Sequence, residues 1–420
     1  MKYNPLGKTG LSVSRLSFGA SALGGVYGAV DEAEGIRAVH AALDLGINLF
    51  DVAPAYGGTV AETVLGRALK GVARQSYYLS TKVGKYTQAG NYGCDTLDYS
   101  AARIRASLDE SARRLGTDYF DIIHLHDIEY QGRRHTEWAL DEGLQTLLDL
   151  KREGRIGNVS FGIYPMDLWH KILMTLPVDA GLVHNHYNLS DRRLLELLPL
   201  AHTKGIGLIN GSPFGSGLFS GREAPSWHPA VESERQLFRA AAKLCEQRGV
   251  PISKLALQFS SQNPAIPTTL FSSAKSESVR RNVKWHREPI DSELLAAVET
   301  GVCDLACGWR ADRHDSTLRR LMSRVANAVR GRFLGDGVHD SGCQLRVMRK
   351  EVVAALYPME LMQSFVPALA TAAGFRVGER RVRHHARTTG ESKYGFRRLW
   401  WRPAVAMIGL RWRMWTGRRP

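Results

Sequence analysis

Short apolar runs alternate with amphipathic stretches along roughly the first 290 residues of the chain. The apolar runs have the length of buried strands and fall at residues 16–20, 48–52, 77–82, 119–126, 158–163, 181–187, 207–209 and 267–271. Between them, apolar residues recur at the spacing of one helix face, which predicts helices at residues 32–45, 61–69, 100–115, 143–153, 167–175, 191–202, 232–248 and 276–285. Ser100 and Gly116 have the residue types that begin and end a helix.

Eight strand–helix units in succession predict an α/β fold, a (β/α)8 TIM barrel that covers residues 1–291. The alternative is an open, doubly wound sheet, which usually has a G-x-G-x-x-G motif after its first strand. The segment Phe18–Gly25 contains glycines but lacks that spacing. The pattern therefore favours the barrel.

Chemically active side chains stand at or just after the ends of successive predicted strands. Asp51, Lys82 and His126 lie at the ends of the second, third and fourth strands, and Tyr56 follows Asp51 by five residues. In a barrel these ends meet at one mouth, where active sites are built. A phenol has an ordinary pKa of about 10 and needs a neighbouring cation to act as a general acid or base near neutrality. The set is typical of carbonyl–alcohol interconversion with a hydride carrier, a reaction that needs no metal.

Each of these residues also has a structural interpretation. A buried Asp–Lys pair often only stabilises a fold, and a single histidine at a strand end is often no more than a hydrogen-bonded polar residue. Tyr56 alone would indicate nothing. The functional interpretation depends on four compatible residues falling at successive strand ends.

The segment Phe50–Gly57, FDVAPAYG, resembles the signature of the aldo-keto reductase family. Ser80–Lys82 is similar to the lysine strand of that family, and Asp118–His126 to its histidine strand, where His126 matches better than His124. The resemblance extends from about residue 2 to about residue 285. It implies a TIM barrel, a nicotinamide cofactor and a catalytic tetrad of Asp51, Tyr56, Lys82 and His126.

Longer segments are similar to the branch of the family that contains L-galactose dehydrogenase and bacterial aldose 1-dehydrogenases. These segments are Pro5–Val13, Tyr56–Thr59, His124–Glu129 and Ile252–Gln258. The resemblance implies an NAD(P)-dependent oxidoreductase that oxidises the C1 hydroxyl of a free aldose, of L-galactose or L-fucose type, to the lactone. Tyr56 would then be the general acid/base, Lys82 and Asp51 would tune it, and His126 would position the hydroxyl.

The same resemblance implies a cofactor site in two segments. Residues 211–218 are similar to the loop along the pyrophosphate, where glycines and backbone N–H groups allow a close approach to phosphate. Residues 270–282 are similar to the adenosine-binding loop and helix. The candidate cofactor-binding residues are Gly211, Ser212, Pro213, Phe214, Gly217, Leu218, Ser272, Ser273, Lys275, Ser278 and Asn282.

The cofactor segments also depart from the family pattern. Members that prefer NADP have Lys and Arg where this chain has Ser272 and Ser278. NAD is therefore the expected cofactor, although Lys275 and neighbouring arginines leave NADP open. Gly162–Ile163 replaces the Ser-Asn pair that holds the carboxamide in many members, and His184 stands where Gln is common.

The charge of the chain is concentrated in its last part. Residues 302–420 have 23 Lys and Arg against 9 Asp and Glu, so they carry +14 of the formal net charge of +15. They also contain five of the nine tryptophans. The first 301 residues are close to neutral, so the basic total does not indicate that the predicted barrel binds nucleic acid.

Residues 302–420 resemble the later half of a family-two glycosyltransferase of the polyprenyl-phosphate mannosyltransferase type. The similar segments are Asp304–Arg310, His339–Arg346 and His384–Gly395. The resemblance implies an acidic residue near the acceptor at Asp340, and phosphate contacts from Arg387, Ser392 and Lys393. The nucleotide-binding half is missing and no D-x-D metal motif occurs in the chain. The resemblance thus implies an incomplete α/β segment after a junction helix at residues 292–301, which gene fusion or an assembly error in the sequence would explain. If the tail is half a sheet without its partners, it would be poorly ordered or would seek another surface.

Two further features of the tail have alternative interpretations. The pair Cys303 and Cys307 suggests a metal site, but without a second pair two core cysteines are the better interpretation. The Trp- and Arg-rich stretch 397–415 suits either a peripheral membrane contact or a helix packed on a sheet.

The predicted function is thus an aldo-keto reductase-type sugar dehydrogenase with a small sugar as its partner. The alternative is a glycosyltransferase-like, membrane-associated protein whose barrel binds nucleotide but is catalytically weak. The five cysteines are few, and neither a secretory signal nor an apolar stretch of membrane-spanning length is found, so a cytoplasmic location is expected.

Overall fold

The alternating pattern of the sequence forms a closed barrel. The computed structural model describes residues 1–87, 95–221, 228, 230–301, 305–310, 327–348, 350–356, 362–375, 377–382 and 407–411. The chain divides into two compact units, Met1–Asp291 and Ser292–Pro420. The strands of the first unit are β1 Tyr3–Pro5, β2 Ser12–Ser14, β3 Leu16–Gly19, β4 Leu49–Asp51, β5 Tyr78–Val83, β6 Lys85–Thr87, β7 Asp95–Leu97, β8 Phe120–His126, β9 Ile156–Ile163, β10 Ala180–His184, β11 Gly207–Gly211 and β12 Thr268–Ser272.

Eight of these strands close the barrel in chain order, β3-β4-β5-β8-β9-β10-β11-β12, and β12 pairs with β3. All eight neighbouring pairs are parallel. The remaining strands form two antiparallel hairpins, β1–β2 and β6–β7. The prediction of a (β/α)8 barrel is confirmed, and the open doubly wound alternative is wrong because the first and last barrel strands are hydrogen-bonded.

Helices link the barrel strands, as β/α connections require. They are α1 Glu32–Asp44, α2 Val60–Leu69, α3 Ala101–Leu115, α4 Thr136–Trp138, α5 Leu144–Arg152, α6 Met166–Thr175, α7 Leu194–Lys204, α8 Glu232–Gln247, α9 Ile252–Gln262 and α10 Ser276–Arg287. The Ser100 side chain caps α3 by accepting a hydrogen bond from the backbone N–H of Arg103, and Gly116 ends that helix in the left-handed conformation. Both signals were read correctly from the sequence.

Several predicted boundaries were wrong for local reasons. The strand predicted at 181–187 ends at His184, because Asn185 turns the backbone into the left-handed region with φ of 58°. The next helix begins at Leu194 because the bridge between Asn188 and Asp191 occupies the start of the predicted helix. Helix α9 and both hairpins were not predicted.

The inside of the barrel is apolar at its amino end and polar at its carboxyl end. Along β8, Ile122, His124 and His126 are spaced by two residues and therefore face the same side. Ile122 belongs to an apolar cluster at the amino end, whereas the two histidines belong to the polar end. The cluster consists of Leu6, Val13, Leu49, Ile122, Ala180, Leu182, Ile209 and Leu270.

The β1–β2 hairpin supplies part of that cluster. Leu6 is completely buried and joins the cluster from the turn of the hairpin. Gly7 follows with φ of 56°, and a Cβ atom there would lie 2.4 Å from the carbonyl oxygen of Gly205. The backbone N–H of Lys8 donates to that same carbonyl at 2.7 Å. The hairpin is thus held against the barrel by backbone contact that only glycine permits.

The second unit begins with helix α11, Ser292–Gly301. Its described strands, β13 Leu305–Trp309, β14 Arg346–Met348 and β15 Val377–Arg381, form a three-stranded sheet in the order β14-β13-β15. Strand β13 is parallel to β15 and antiparallel to β14. Helix Met362–Ala372 packs on this sheet through Val366 and Ala370. In neither unit do the described residues include a helix long and apolar enough to cross a membrane.

Truncation of the hairpin residue tests the role of the amino-end cluster. Leu6→Ala is expected to lower the free energy of unfolding by about 2–5 kcal/mol, because the cavity it leaves lies among buried side chains. Urea unfolding of the full chain, followed by barrel tryptophan fluorescence, measures the change. The matched control is Met174→Ala, which shortens a side chain that is 60% exposed. Equal effects of the two substitutions would contradict this view of the hairpin.

Candidate functional site

A buried ion pair lies at the carboxyl end of the barrel. The Lys82 ammonium is 2.5 Å from Asp51 Oδ2 and donates to the carbonyl oxygen of Val52 at 2.8 Å. The Ser80 hydroxyl donates to Asp51 Oδ1 at 2.7 Å. Neighbouring strands β4 and β5 bring these groups together, since Asp51 pairs with Ser80 in the sheet. The lysine is therefore fixed in both position and direction.

The surroundings keep this pair charged. Burial alone would raise the pKa of the Asp51 carboxyl, but the Lys82 charge and the neighbouring His124 ring hold it well below its usual range. Burial lowers the pKa of the Lys82 ammonium, and the Asp51 charge opposes that change. A buried charge is tolerated when it is paired and hydrogen-bonded in this way.

The two histidines of β8 have different surroundings. His124 is completely buried, with Nδ1 2.8 Å from Ser160 Oγ and Nε2 3.4 Å from Asp51 Oδ1. His126 lies two residues nearer the mouth, and its ring centroid is 6.0 Å from that of Tyr56. Its Nδ1 is buried and has no hydrogen-bond partner among the described residues. His124 thus lies next to Asp51 deeper in the barrel, whereas His126 lies beside Tyr56 at the candidate site.

Tyr56 is placed by a tight turn after β4. The Lys82 Nζ atom lies 5.0 Å from the centroid of the Tyr56 ring. Gly57 has φ of 63°, and a Cβ atom there would lie 2.1 Å from the carbonyl oxygen of Gly24. Any larger residue would push the two loops apart and carry the tyrosine with them. The four predicted catalytic residues are therefore brought to one place by three strands and one glycine contact.

Burial determines the state of His126. It lowers the pKa of the imidazole to about 3, so the ring is neutral at neutral pH. The Tyr99 hydroxyl donates to the carbonyl oxygen of His126 at 2.8 Å and fixes the end of the strand. A neutral imidazole, a phenol and an adjacent ammonium together can hold an oxygen atom and move a proton to or from it.

The first cofactor segment forms an irregular loop after β11. Gly211 ends the strand, and Ser212, Gly215, Ser216 and Gly217 all have backbone φ between 52° and 107°. Successive left-handed residues of this kind make backbone concavities that bind anions. Pro213, Phe214 and Leu218 complete the predicted loop.

Asn185 connects this loop to the end of β10. Its side-chain amide donates to Ser216 Oγ at 2.8 Å, while its Oδ1 atom is buried and has no partner among the described residues. An unpaired buried acceptor beside an anion-binding loop fits a dinucleotide that carries a carboxamide. Sequence reasoning missed Asn185 and considered only the adjacent His184, whose Nδ1 is 3.0 Å from Ser212 Oγ.

The second cofactor segment begins at the end of β12. The Ser272 hydroxyl accepts hydrogen bonds from the backbone N–H of Ala22 at 2.9 Å and from the Ser21 hydroxyl at 3.0 Å. Ser273 Oγ accepts from the backbone N–H of Lys275, the residue before α10. In α10, Ser278 and Asn282 lie four residues apart on one face, and Asn282 is buried. The predicted cofactor residues therefore lie at the ends of β11 and β12, in the loops that follow these strands, and in α10 as far as Asn282.

Charged groups near His126 were not predicted. Asp127 Oδ2 lies 3.7 Å from His126 Nε2 and 2.7 Å from Lys85 Nζ. Glu129 Oε1 accepts from the backbone N–H of Tyr164, and its Oε2 has no partner among the described residues. Burial, and then the negative charge of Asp127, raise the pKa of Glu129 to about 7. A sequence signal was present for Asp127, because a charged residue directly follows the strand predicted at 119–126.

The aldo/keto reductase family model matches residues 15–300 of this sequence, which is more than half of the chain. The chain belongs to the aldo/keto reductase family. Members of this family are oxidoreductases that use nicotinamide cofactors. The barrel, the ion pair and the loop after β11 agree with that membership, and the residues present fit such a cofactor.

Similar proteins include sugar dehydrogenases. The L-galactose dehydrogenase of Arabidopsis thaliana is 39% identical over 303 residues, which cover 70% of this chain and 92% of that protein. The D-threo-aldose 1-dehydrogenase of a Pseudomonas species is 28% identical over 312 residues, covering 68% and 93%. Among solved structures, the holo form of an aldo-keto reductase from Bacillus halodurans is 28% identical, with a TM-score of 0.58 and coverage of 71% and 96%.

The predicted tail residues are only partly described. Asp340 accepts two hydrogen bonds from the Arg310 guanidinium, at 2.7 and 2.9 Å. Cys307 is buried, whereas Cys303, Arg387, Ser392 and Lys393 lie outside the described residues. Of the Trp- and Arg-rich stretch, only residues 407–411 are described. The glycosyltransferase-like interpretation of the tail stays a prediction.

The raised pKa of Glu129 predicts a pH-dependent stability. Between pH 4.5 and 7 the folded protein keeps a proton at Glu129 that the unfolded chain releases, so stability falls as the pH rises through this range. In Glu129→Gln, the decrease in the free energy of unfolding over this pH range is expected to be smaller by up to about 3 kcal/mol. Thermal unfolding midpoints at pH 5 and pH 8 measure it. The control is Glu137→Gln at the surface, and an unchanged pH dependence in Glu129→Gln would show that the carboxyl is not protonated in the folded state.

Proposed function

We propose that the barrel oxidises the C1 hydroxyl of a free aldose, of L-galactose or L-fucose type, to the lactone, with NAD as the hydride acceptor. The observation that carries the proposal is the Lys82 ammonium, fixed by Asp51 at 2.5 Å and lying 5.0 Å from the Tyr56 ring centroid. The similarity to two named aldose dehydrogenases supports the substrate class.

The mechanism follows from the states of these side chains. Neutral His126 holds the C1 hydroxyl oxygen, since its pKa of about 3 keeps it uncharged near neutrality. Tyr56 acts as the general base: the positive charge of Lys82 stabilises its phenolate, which accepts the hydroxyl proton and becomes the neutral phenol. Asp51 and Ser80 keep that charge in place. When bound, the nicotinamide supplies the hydride acceptor for C1. In the reverse direction Tyr56 returns the proton as a general acid.

The preference for NAD is supported by an ion at the start of α10. Glu34, on α1, accepts hydrogen bonds from the backbone N–H and the hydroxyl of Ser276, at 2.7 and 2.8 Å. These hydrogen bonds lower the pKa of the Glu34 carboxyl to about 2, so it is ionised. A carboxylate at this helix start repels the 2′-phosphate that distinguishes NADP. Arg281, one of the nearby cations, lies over the Trp285 ring at 5.0 Å.

The general acid/base role is tested with Tyr56→Phe. The variant is expected to lose at least about 1,000-fold in kcat, because the phenol that exchanges the proton is gone, while it binds NADH normally. NADH formation with L-galactose and L-fucose measures activity, and quenching of protein fluorescence measures cofactor binding. The matched control is Tyr3→Phe, which removes an exposed hydroxyl from the hairpin. A Tyr56→Phe variant with the original rate would refute the assignment.

The cofactor preference is tested with Glu34→Gln. Removal of the negative charge is expected to improve kcat/KM with NADP by about 3- to 10-fold and to leave kcat/KM with NAD nearly unchanged. Glu32→Gln, which removes a carboxylate from the same helix, is the control. If the two variants respond to NADP alike, Glu34 does not discriminate between the cofactors.

A further inference from the structure

A second buried ion pair borders the same mouth, and the mechanism does not use it. Lys85 and Asp127 are joined at 2.7 Å, and their side chains are only 9% and 18% exposed. Asp127 directly follows His126, and its Oδ2 atom is 3.7 Å from His126 Nε2. Lys82 already provides the positive charge beside Tyr56. The Lys85–Asp127 pair is therefore not needed for that role.

A buried ion pair such as Lys85–Asp127 adds little net free energy to the stability of the fold. When two charged groups are buried, the free energy gained from their attraction hardly exceeds the free energy of solvation that they lose. Asp127 also has φ of 50°, an uncommon conformation for a residue other than glycine, and its N–H donates to the carbonyl oxygen of Gly162. Uncommon backbone conformations and buried charges of this kind concentrate where a protein binds something.

An aromatic ring completes the group. Lys85 Nζ lies 4.0 Å from the centroid of the Tyr130 ring, and Tyr130 is 43% exposed. The three side chains offer a carboxylate that accepts hydrogen bonds, an ammonium that donates them and an exposed ring face. Sugars present hydroxyls together with a face of C–H bonds, so this combination matches a sugar better than it matches a simple aldehyde.

We propose that Asp127, Lys85 and Tyr130 recognise the substrate, and that Asp127 accepts a hydrogen bond from the hydroxyl on C2. This inference rests on the proposed function, in which His126 holds the oxygen on C1. Oxygens on neighbouring carbons lie about one hydrogen-bond length apart. A carboxylate oxygen beside His126 Nε2 therefore reaches the next oxygen along the sugar, and Lys85 keeps that carboxylate ionised and directed.

The test combines a deoxy-sugar series with one substitution. For the unaltered full chain, kcat/KM with 2-deoxy-L-galactose is expected to be about 10- to 100-fold lower than with L-galactose, because the buried carboxylate loses its donor. L-Fucose, which lacks only the remote C6 hydroxyl, is expected to differ by less than about threefold. If the 2-deoxy sugar is oxidised as well as L-galactose, the proposal is overturned without any variant.

Asp127→Asn tests the residue itself. It is expected to lower kcat/KM for L-galactose by about 10- to 100-fold, mainly through KM, and to change kcat/KM for the 2-deoxy sugar by less than about threefold. A merely structural or His126-positioning role would lower both equally, which would overturn the proposal. Lys85→Met is expected to show the same selectivity for the 2-hydroxyl sugar, and Asp149→Asn on the surface of α5 is the control.

Two further measurements separate this inference from the proposed function. NADH binding to Asp127→Asn is expected to be unchanged, since the residue recognises the sugar. Reduction of an aldehyde without hydroxyls, such as 4-nitrobenzaldehyde, is expected to continue at nearly the rate of the unaltered enzyme. Reduction of that aldehyde without oxidation of any aldose would refute the proposed function, and equal losses with both sugars would refute only the role of Asp127.

Discussion

The buried pair of Asp51 and Lys82 is the interaction on which the rest of the site depends. Each charge is tolerated inside the barrel only because the other is present, and the Ser80 hydroxyl and the Val52 carbonyl oxygen add hydrogen bonds to the pair. The pair spans two adjacent strands, so its geometry is set by the sheet and not by a loop. A lysine held this rigidly provides a fixed positive charge where proton transfer is proposed, and it needs no rearrangement during the reaction.

The side chains inside the barrel change from apolar at the amino end to polar at the carboxyl end, and this change strengthens the effect of the Lys82 charge. The amino end is filled by an apolar cluster that includes Leu6 of the hairpin, while the carboxyl end carries the ionised and hydrogen-bonding groups. Charges above such a cluster act through a medium of low polarity, where electrostatic interactions are stronger than in water. The residues that stabilise the barrel thus lie at its amino end, and the residues proposed to carry out the reaction lie at its carboxyl end. Both sets occupy inward-facing positions of the same strands.

The sequence predicted the barrel, and it placed the ends of β4, β5 and β8 within about one residue, because both follow from local patterns. Asp51, Lys82 and His126 each end or nearly end an apolar run, so their placement needed only strand length and the parallel arrangement. Periodicity alone does not separate His124 from His126, because residues two apart face the same side and differ only in depth. The motif resemblance made that choice, and the structure puts His126 beside Tyr56.

What could not be predicted depends on contacts between distant segments. Lys85 and Asp127 are 42 residues apart in the chain, and Glu34 and Ser276 are 242 apart. No local pattern shows that residues so far apart in the chain meet. Asn185 was missed because its left-handed turn, which ends β10, interrupts the alternation used to place the strand.

The distribution of charge explains how a nearly neutral barrel can have so polar a mouth. The ionised groups there occur as partners, Lys82 with Asp51 and Lys85 with Asp127. Paired charges produce little net field at a distance but present strong, directed donors and acceptors at hydrogen-bond range. An uncharged substrate with several hydroxyls gains from such directed contacts, whereas a phosphorylated one would gain from an unpaired cation. The basic residues that dominate the net charge lie in residues 302–420, so the charge of the whole chain does not describe the substrate of the barrel.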